Sequence, residues 1–149
     1  YIQHKKRLVP VGRLDRDSTG LLLLTNDGDL HQFLTHPKNM VIREYDVSID
    51  RIIRPKEIIW MKKGISIGAG ETGKAQVTAQ KTNKGRAQVR LILKQGKKRE
   101  IRRIFRTLKI KLYNLKRVSF AGIDLNGLKE GEYRILNEKD INQLKSGFS

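Results

Sequence analysis

The sequence predicts an α+β fold in which a mixed, mostly antiparallel sheet is flanked by a few helices. Predicted strands outnumber predicted helices, and the connections between them are mostly short, which favours pairing between neighbouring strands. The chain has 149 residues, enough for one domain with a substantial core. No internal repeat or low-complexity linker divides it, so we expect a single domain over residues 1–149.

The first elements surround a charged loop. A short apolar piece at 9–11 leads into the loop, and the leucine run at 21–25 predicts a strand buried on both faces. A turn is expected at 26–28. Helical spacing at Leu30, Phe33 and Leu34 then predicts a helix that ends at Pro37.

In the middle of the chain, a strand and a short helix are predicted before a glycine-rich stretch. Residues 41–49 indicate a strand, and Pro55 opens a short helix through Met61, because proline is tolerated in a first turn. Residues 64–73 are rich in glycine. Alternating apolar residues at 75–79 and 87–93 then predict two half-buried strands.

In the last third, apolar residues at i, i+3, i+4 and i+7 predict an amphipathic helix from Ile101 to Leu108. Strands are expected at 112–120, 123–125 and 133–136. Asn137 is predicted to cap a final helix whose apolar face carries Ile141 and Leu144.

The charge balance indicates a polyanionic partner. Lys and Arg number 32 against 15 Asp and Glu, a net charge of +17, and such an excess raises a positive potential that attracts nucleic acid. A membrane surface is the weaker candidate, because no apolar run approaches the roughly 20 residues of a spanning helix. The absence of cysteine excludes disulfides and thiolate chemistry, and the three histidines lack metal-ligand spacing, so we expect no metal site.

A carboxylate in the segment GRLDRDSTG, residues 12–20, is the first candidate for chemistry. Gly12 and Gly20 can adopt backbone conformations that are closed to other residues, so Asp15 is expected on a specially shaped turn beside the sheet. The alternative is that Asp15 pairs with Arg13 or Arg16, or caps a turn.

A basic cluster at the start of the helix at 101–108 is the second candidate. Positive charge at a helix N-terminus opposes the helix dipole, which favours anions there, so the cluster indicates an anionic ligand such as phosphate. A solvated surface is the alternative. The cluster contains Lys97, Lys98, Arg99, Arg102 and Arg103.

Tyr45, within Arg-Glu-Tyr-Asp-Val, is the third candidate. A tyrosine among basic residues can stack on an unstacked base, a contact worth about 1–3 kcal/mol. A half-buried strand tyrosine without a functional role is the alternative.

Together these segments resemble one family. VGRLDRDSTGLLLLTNDGDL, REYDV, GKKREIRRIF, LKRVSFAGIDL and LKEGEYRILNEKDI occur in the order and spacing of the RsuA-type bacterial ribosomal RNA pseudouridine synthases. The resemblance implies the pseudouridine synthase catalytic fold and isomerisation of a uridine in RNA. It implies that Asp15 is the essential acid, that Tyr45 and Arg102 complete the active site, and that Arg13 touches RNA near the extruded nucleotide.

The resemblance also gives the predicted acid a physical role. The target uridine must leave its stack, and Asp15 then acts at the sugar, either by attacking C1′ or by removing a neighbouring proton. Arg102 keeps the carboxylate ionised and orients it, while Tyr45 holds the detached base. Arginines and lysines are expected to neutralise the phosphates around the uridine, and the residues expected to bind RNA are Arg13, Lys97, Lys98, Arg99, Arg103, Arg106, Lys116 and Arg117.

Members of this family usually carry an S4-type RNA-binding domain and open the catalytic domain with a strand containing Lys-Pro. Neither is found in this sequence, so we expect a catalytic domain without its first strand. We further expect no cofactor, ribosomal RNA or a pre-ribosomal particle as partner, a monomer, and a cytoplasmic location without membrane contact. The alternative function is a non-catalytic, basic RNA-binding or ribosome-assembly protein.

Overall fold

The structure is a computed structural model, and it describes residues 7–146. This part of the chain contains strands at Val9–Pro10 (β1), Thr19–Gly20 (β2), Leu24–Thr25 (β3), Arg43–Ile49 (β4), Ile65–Gly68 (β5), Glu71–Gly73 (β6), Gln76–Asn83 (β7), Arg86–Leu93 (β8), Leu112–Phe120 (β9) and Ile123–Asp124 (β10). Its helices are Gly28–Thr35 (α1), Pro55–Lys63 (α2), Glu100–Thr107 (α3) and Glu138–Lys145 (α4), with a 3₁₀ turn at Pro37–Asn39.

The central sheet has the strand order β10-β9-β4-β8-β7, and each of these neighbours is antiparallel. The short β2 adds the parallel pairing, because it lies beside β9 with Thr19 opposite Lys116 and Gly20 opposite Arg117. Two small ribbons, β1–β3 and β5–β6, lie outside this sheet. The predicted α+β class with a mostly antiparallel, mixed sheet is therefore confirmed.

Two hydrophobic clusters support the fold. The first joins β4, β8 and β9 to α2 and α3, and it includes Val47, Leu91, Met61 and Phe105. The second lies near the segment between β2 and β3 and includes the following buried side chains: Val11, Leu21, Leu23, Leu34, Val41, Phe120, Ile123 and Leu144. Burial of side chains of this size contributes about 1.5–3 kcal/mol each.

Local capping explains where three helices begin. Asp27 Oδ1 accepts hydrogen bonds from the backbone N–H groups of Asp29 and Leu30, at 3.0 and 3.1 Å. Asn137 Oδ1 accepts from Asp140 N at 2.9 Å, so the predicted cap of α4 is confirmed. Pro55 occupies the first turn of α2 as predicted. None of the helices within residues 7–146 is long and apolar enough to cross a membrane.

Three sequence expectations require correction. The 21–25 run is not a strand buried on both faces: Leu21 and Leu23 are buried, Leu22 is exposed, and strand pairing is limited to β3. The strand expected at 133–136 is absent from the described residues, and Ile135 there is 79 % exposed. Conversely, the glycine-rich residues 64–73 contain the β5–β6 hairpin, which composition alone had hidden.

Candidate active site

A glycine brings the acid-bearing loop against the sheet. Gly20 has a φ of +113°, and a Cβ at this position would lie 2.1 Å from the carbonyl oxygen of Arg117 on β9. Only glycine therefore allows β2 to pair with β9 at this distance. Gly12, at the other end of the loop, has a φ of +72°. The prediction that both glycines take special backbone conformations is confirmed.

The loop between these glycines brings Asp15 to two arginines of the α3 region. Asp15 Oδ2 lies 3.9 Å from Arg102 Nε and 3.9 Å from Arg99 Nη1. The Asp15 side chain remains one-third exposed at 33 %, whereas that of Arg102 is 16 % exposed. Asp15 and Arg102, 87 positions apart, are thus within salt-bridge distance. The carboxylate of Asp15 is partly exposed to solvent, and the guanidinium of Arg102 is largely enclosed.

Arg102 is also fastened to the loop itself. Its Nη2 donates to the backbone oxygen of Asp17 at 3.0 Å and to Ser18 Oγ at 3.1 Å. Its Nε is buried and makes no hydrogen bond. These bonds fix the orientation of the guanidinium relative to the loop and leave one N–H unused beside Asp15.

Asp17 is a member of the cluster that sequence reasoning missed. Its carboxylate lies 3.4 Å from Arg99 Nη1 and 3.2 Å from Arg102 Nη2, closer than Asp15 lies to either arginine. The hydrogen bond from Arg99 and the charge of Arg102 hold the pKa of Asp17 below its ordinary value. Two acids and two arginines therefore share one cluster, and the Asp-Arg-Asp spacing of the loop was the signal available in the sequence.

Asp15, Arg99 and Arg102 line one cavity of about 560 Å³. Tyr45 lines it from β4, and Asp15 and Arg102 line it from the loop and from α3. The basic residues along its wall are Arg13, Arg16, Arg43, Lys97, Lys98, Arg99 and Arg117. The three residues expected to be catalytic are thus brought together in a strongly positive concavity.

Arg117, which was expected to bind RNA, is enclosed by the protein. It is only 2 % exposed, and its Nε donates to the backbone oxygen of Leu21 at 2.9 Å. The reason is register: Arg117 lies directly opposite Tyr45 across β4 and β9, on the face of the sheet that meets the cavity. Arg117 thus lines the cavity and not the outer surface, and its role in RNA binding stays a prediction.

Lys97 and Arg99 line the cavity and are half-buried, and the other five predicted basic residues divide into three groups. Arg103 fastens α3 to the β5–β6 hairpin, with Nε donating to Ile67 O at 3.0 Å and Nη2 to Glu71 Oε1 at 2.9 Å. Arg106 and Lys116 are exposed but do not line the cavity. Arg13 and Lys98 are exposed at its rim.

Comparison with known proteins gives the family. A sequence profile described as RNA pseudouridylate synthase matches residues 2–107. Ribosomal large subunit pseudouridine synthase B of Bacillus subtilis is 34 % identical over 144 residues, covering 95 % of this chain and 59 % of the relative. The dual-specificity RNA pseudouridine synthase RluF of Escherichia coli is 33 % identical over 144 residues, covering 97 % and 48 %.

Solved structures agree with this result. A crystal structure of a pseudouridylate synthase superposes with a TM-score of 0.82 at 29 % identity, covering 92 % of this chain and 59 % of the other. A chain in a Cbf5-Nop10-Gar1 complex, at 16 % identity and a TM-score of 0.51, shares the fold.

The fold and the sequence together define an RNA-modification class of protein. This chain belongs to the RNA pseudouridylate synthase family, and the resemblance to its RsuA-type members is confirmed. The chain spans about half the length of the curated relatives it matches.

Proposed function

We propose that this chain is the catalytic domain of an enzyme that isomerises a specific uridine in ribosomal RNA to pseudouridine. The observation that carries the proposal is the approach of Asp15 to Arg102, 3.9 Å between Oδ2 and Nε, at the wall of a basic cavity in a member of this family. A non-catalytic RNA-binding surface has no need of an acid there.

The cavity suits a nucleotide that has left its stack. Enzymes that act on a base in folded RNA extrude the nucleotide into an active-site pocket. The volume of about 560 Å³ is within the range of small-molecule sites. Exposed Arg13 and Lys98 at the rim are suited to hold the phosphates on either side of the extruded nucleotide.

Asp15 acts at the ribose in either of two ways. It attacks C1′ as a nucleophile, or it removes the proton from the adjacent C2′. Both routes need the carboxylate form, and Arg102 Nε and Arg99 Nη1 each lie 3.9 Å from Asp15 Oδ2. Arg102 is the better orienting group, because its contacts with Asp17 and Ser18 already fix its position.

Tyr45 retains the base while it is detached. Its strand is central in the sheet, between β9 and β8, so the ring is carried on a rigid support. A ring that covers one face of the uracil lets the base turn in its own plane and present C5 to C1′. The turned base then rejoins the sugar through a carbon–carbon bond.

The proposal includes a partner and a place of action. Ribosomal RNA or a pre-ribosomal particle is the substrate, and the protein acts as a monomer in the cytoplasm. The net charge of +17 and the names of the relatives support an RNA substrate. Sedimentation of the protein alone and with a ribosomal RNA fragment tests the monomeric state and the RNA partner, and a dimeric free protein would contradict the monomer.

Tritium release tests the reaction directly. RNA carrying uridine labelled at C5 loses that tritium when C5 becomes the glycosidic carbon. We expect release with the unaltered protein and none with Asp15→Asn, which keeps the size of the side chain and removes its charge. RNA affinity should be nearly the same for both proteins. RNA binding without tritium release by the unaltered protein would assign the chain to the non-catalytic alternative.

A further inference from the structure

Two arginines form the floor of the cavity and have no use in the reaction as described so far. Arg43 on β4 and Arg117 on β9 both line the cavity, and both guanidinium groups lie over the ring of Phe120, at 5.1 and 5.0 Å from its centre. No carboxylate in residues 7–146 forms a salt bridge with either one, whereas Arg102 in the same cavity, and Arg51 and Arg103 elsewhere in the protein, each pair with an acid.

Arg117 in addition has a donor without an acceptor. Its Nε is used by Leu21 O, but its Nη2 is buried and has no hydrogen-bond partner in the structure. Arg43, which is half-buried, donates from Nη1 to the backbone oxygen of Val41 at 3.1 Å and likewise forms no salt bridge with a described carboxylate. Burying an unpaired cation costs several kcal/mol, so two adjacent ones need an explanation.

The electrostatics of the pair point in the same direction. Burial lowers the pKa of the Arg117 guanidinium, an effect opposed by the phenol of Tyr45. Burial also lowers the pKa of Arg43, and the positive charge of Arg117 adds to that shift, while Tyr45 and Glu100 oppose it. An electron-rich ligand on this floor would relieve the cost for both arginines.

We propose that Arg43 and Arg117 bind the carbonyl edge of the flipped uracil and stabilise the negative charge that it carries while detached from the sugar. This inference rests on the proposed function. The floor, not the rim, is the position of the base, because the phosphates remain linked to the RNA chain and stay near the exposed Arg13 and Lys98. Tyr45, opposite Arg117 on the neighbouring strand, brings the ring that retains the base next to this floor.

The negative charge on the detached uracil arises in both candidate routes. When the C1′–N1 bond breaks, its electron pair stays with N1 and is shared with the two carbonyl oxygens. Asp15 has either formed a bond to C1′ or taken the C2′ proton. A pair from C5 then forms the C1′–C5 bond as the Asp15 ester breaks, or as the proton returns to C2′. Finally C5 loses its proton and N1 gains one.

Fixed positive donors stabilise such a charge because they need no reorganisation as it develops, and the loss of one donor of this kind costs about 10²–10³-fold in rate. The floor also disfavours cytosine, whose amino group would direct N–H donors at the arginine donors. Arg43 and Arg117 therefore increase the rate of the reaction and favour uracil over cytosine.

The test compares uracil with a base that is a better leaving group. Fluorine at C5 withdraws electrons and stabilises the detached base, so 5-fluorouridine RNA depends less on the floor than uridine RNA does. Each RNA is reacted with protein in excess and then digested to nucleosides. The single-turnover loss of the target nucleoside reports cleavage of its C1′–N1 bond for both RNAs. The variants are Arg117→Met and Arg43→Met, and Arg90→Met, on the other face of the sheet with Asp46, is the matched control.

We expect each floor variant to lose about 100-fold in cleavage of uridine RNA, with unchanged RNA affinity, and markedly less on 5-fluorouridine RNA. The control should match the unaltered protein on both. Should Arg117→Met fail to fold by circular dichroism, the half-buried Arg43→Met carries the test. Equal losses on the two RNAs, or losses confined to affinity, would overturn the inference alone. Failure of the unaltered protein to consume either RNA would overturn the proposed function as well.

Discussion

Arg102 lies beside Asp15 with one N–H unused: its Nε is 3.9 Å from Asp15 Oδ2, is buried, and has no hydrogen-bond partner. The same guanidinium is meanwhile held by Asp17 and Ser18 through Nη2. Nη2 thus positions the guanidinium of Arg102, and the unused Nε–H is available to Asp15. A small shift of the loop on RNA binding would complete the bond to Asp15.

Two arginines of α3 should therefore differ sharply in their effect on activity. Arg102→Ala removes the group that faces Asp15, whereas Arg106→Ala removes an exposed charge outside the cavity. We expect a loss of about 100-fold or more in single-turnover rate for Arg102→Ala and little change for Arg106→Ala. Tritium release with protein in excess measures both. Equal losses would show that α3 acts only as a basic surface.

Rim residues should control how strongly salt weakens RNA binding. Removing Arg13 and Lys98 together should flatten the plot of log K against log salt by roughly 1.4–1.8, because each lost phosphate contact contributes about 0.7–0.9. The change should be alike for all RNA sequences, since phosphate contacts carry no sequence information.

The matched control removes Lys81 and Lys84, which are exposed near the turn that joins β7 to β8. This pair removes the same charge and should leave the slope unchanged. A slope flattened equally by both pairs would mean that total charge, not the rim, sets the affinity.

Gly20 should be among the least replaceable residues of the chain. Gly20→Ala puts a Cβ 2.1 Å from Arg117 O at a φ of +113°, so we expect a loss of about 2–4 kcal/mol in unfolding free energy. Gly28→Ala is the control, because its Cβ meets nothing within 4 Å in the first turn of α1. It should change stability by at most about 1 kcal/mol. Urea unfolding of the two variants gives the comparison.

A partly buried ion pair between Arg51 and Glu57, in the first turn of α2, should make stability depend on pH. Arg51 bonds both oxygens of Glu57 at 2.8 and 2.9 Å, and this contact holds the pKa of Glu57 below its ordinary 4.5. Because the folded pKa is depressed, its stabilising effect is present above pH 4.5 and is lost as pH falls through the folded pKa.

Glu57→Gln should accordingly be less stable than the unaltered protein by about 1.5–3 kcal/mol at pH 7, with the difference shrinking in acid. Thermal or urea unfolding between pH 7 and pH 3 measures it. Glu130→Gln, at an exposed position, should show no such trend. A Glu57→Gln deficit that stays constant with pH would contradict the ion-pair explanation.

The elements that sequence predicted well are those whose signal is local. α3 and β8 could be found because the period of their apolar residues reflects one buried face, and α4 because Asn137 caps it. The leucines at 21–24 were misleading because burial depends on what covers each face, and Leu22 and Leu24 face solvent. The β5–β6 hairpin was missed because its glycines carry no periodic signal.

The candidate site divides in the same way. The association of Asp15, Tyr45 and Arg102 was available through family resemblance, since it depends on recognisable segments. The floor was not: whether Arg117 points outward or into the cavity is decided by its register with Tyr45 on β4 and β9, a pairing between residues 72 positions apart. Asp17 was missed because its two arginine partners come from a helix 82 to 85 positions along the chain.

The ties that hold the acid loop also set the order of events during synthesis. Arg102 reaches Asp17 across 85 residues and Arg117 reaches Leu21 across 96. At about 5–20 residues per second, the ribosome needs roughly 4–17 s after making the loop to produce its anchor on α3. Contacts of such long sequence separation form late. In a nascent chain, Asp15 therefore reaches its place in the folded site only after α3 and β9 have been made.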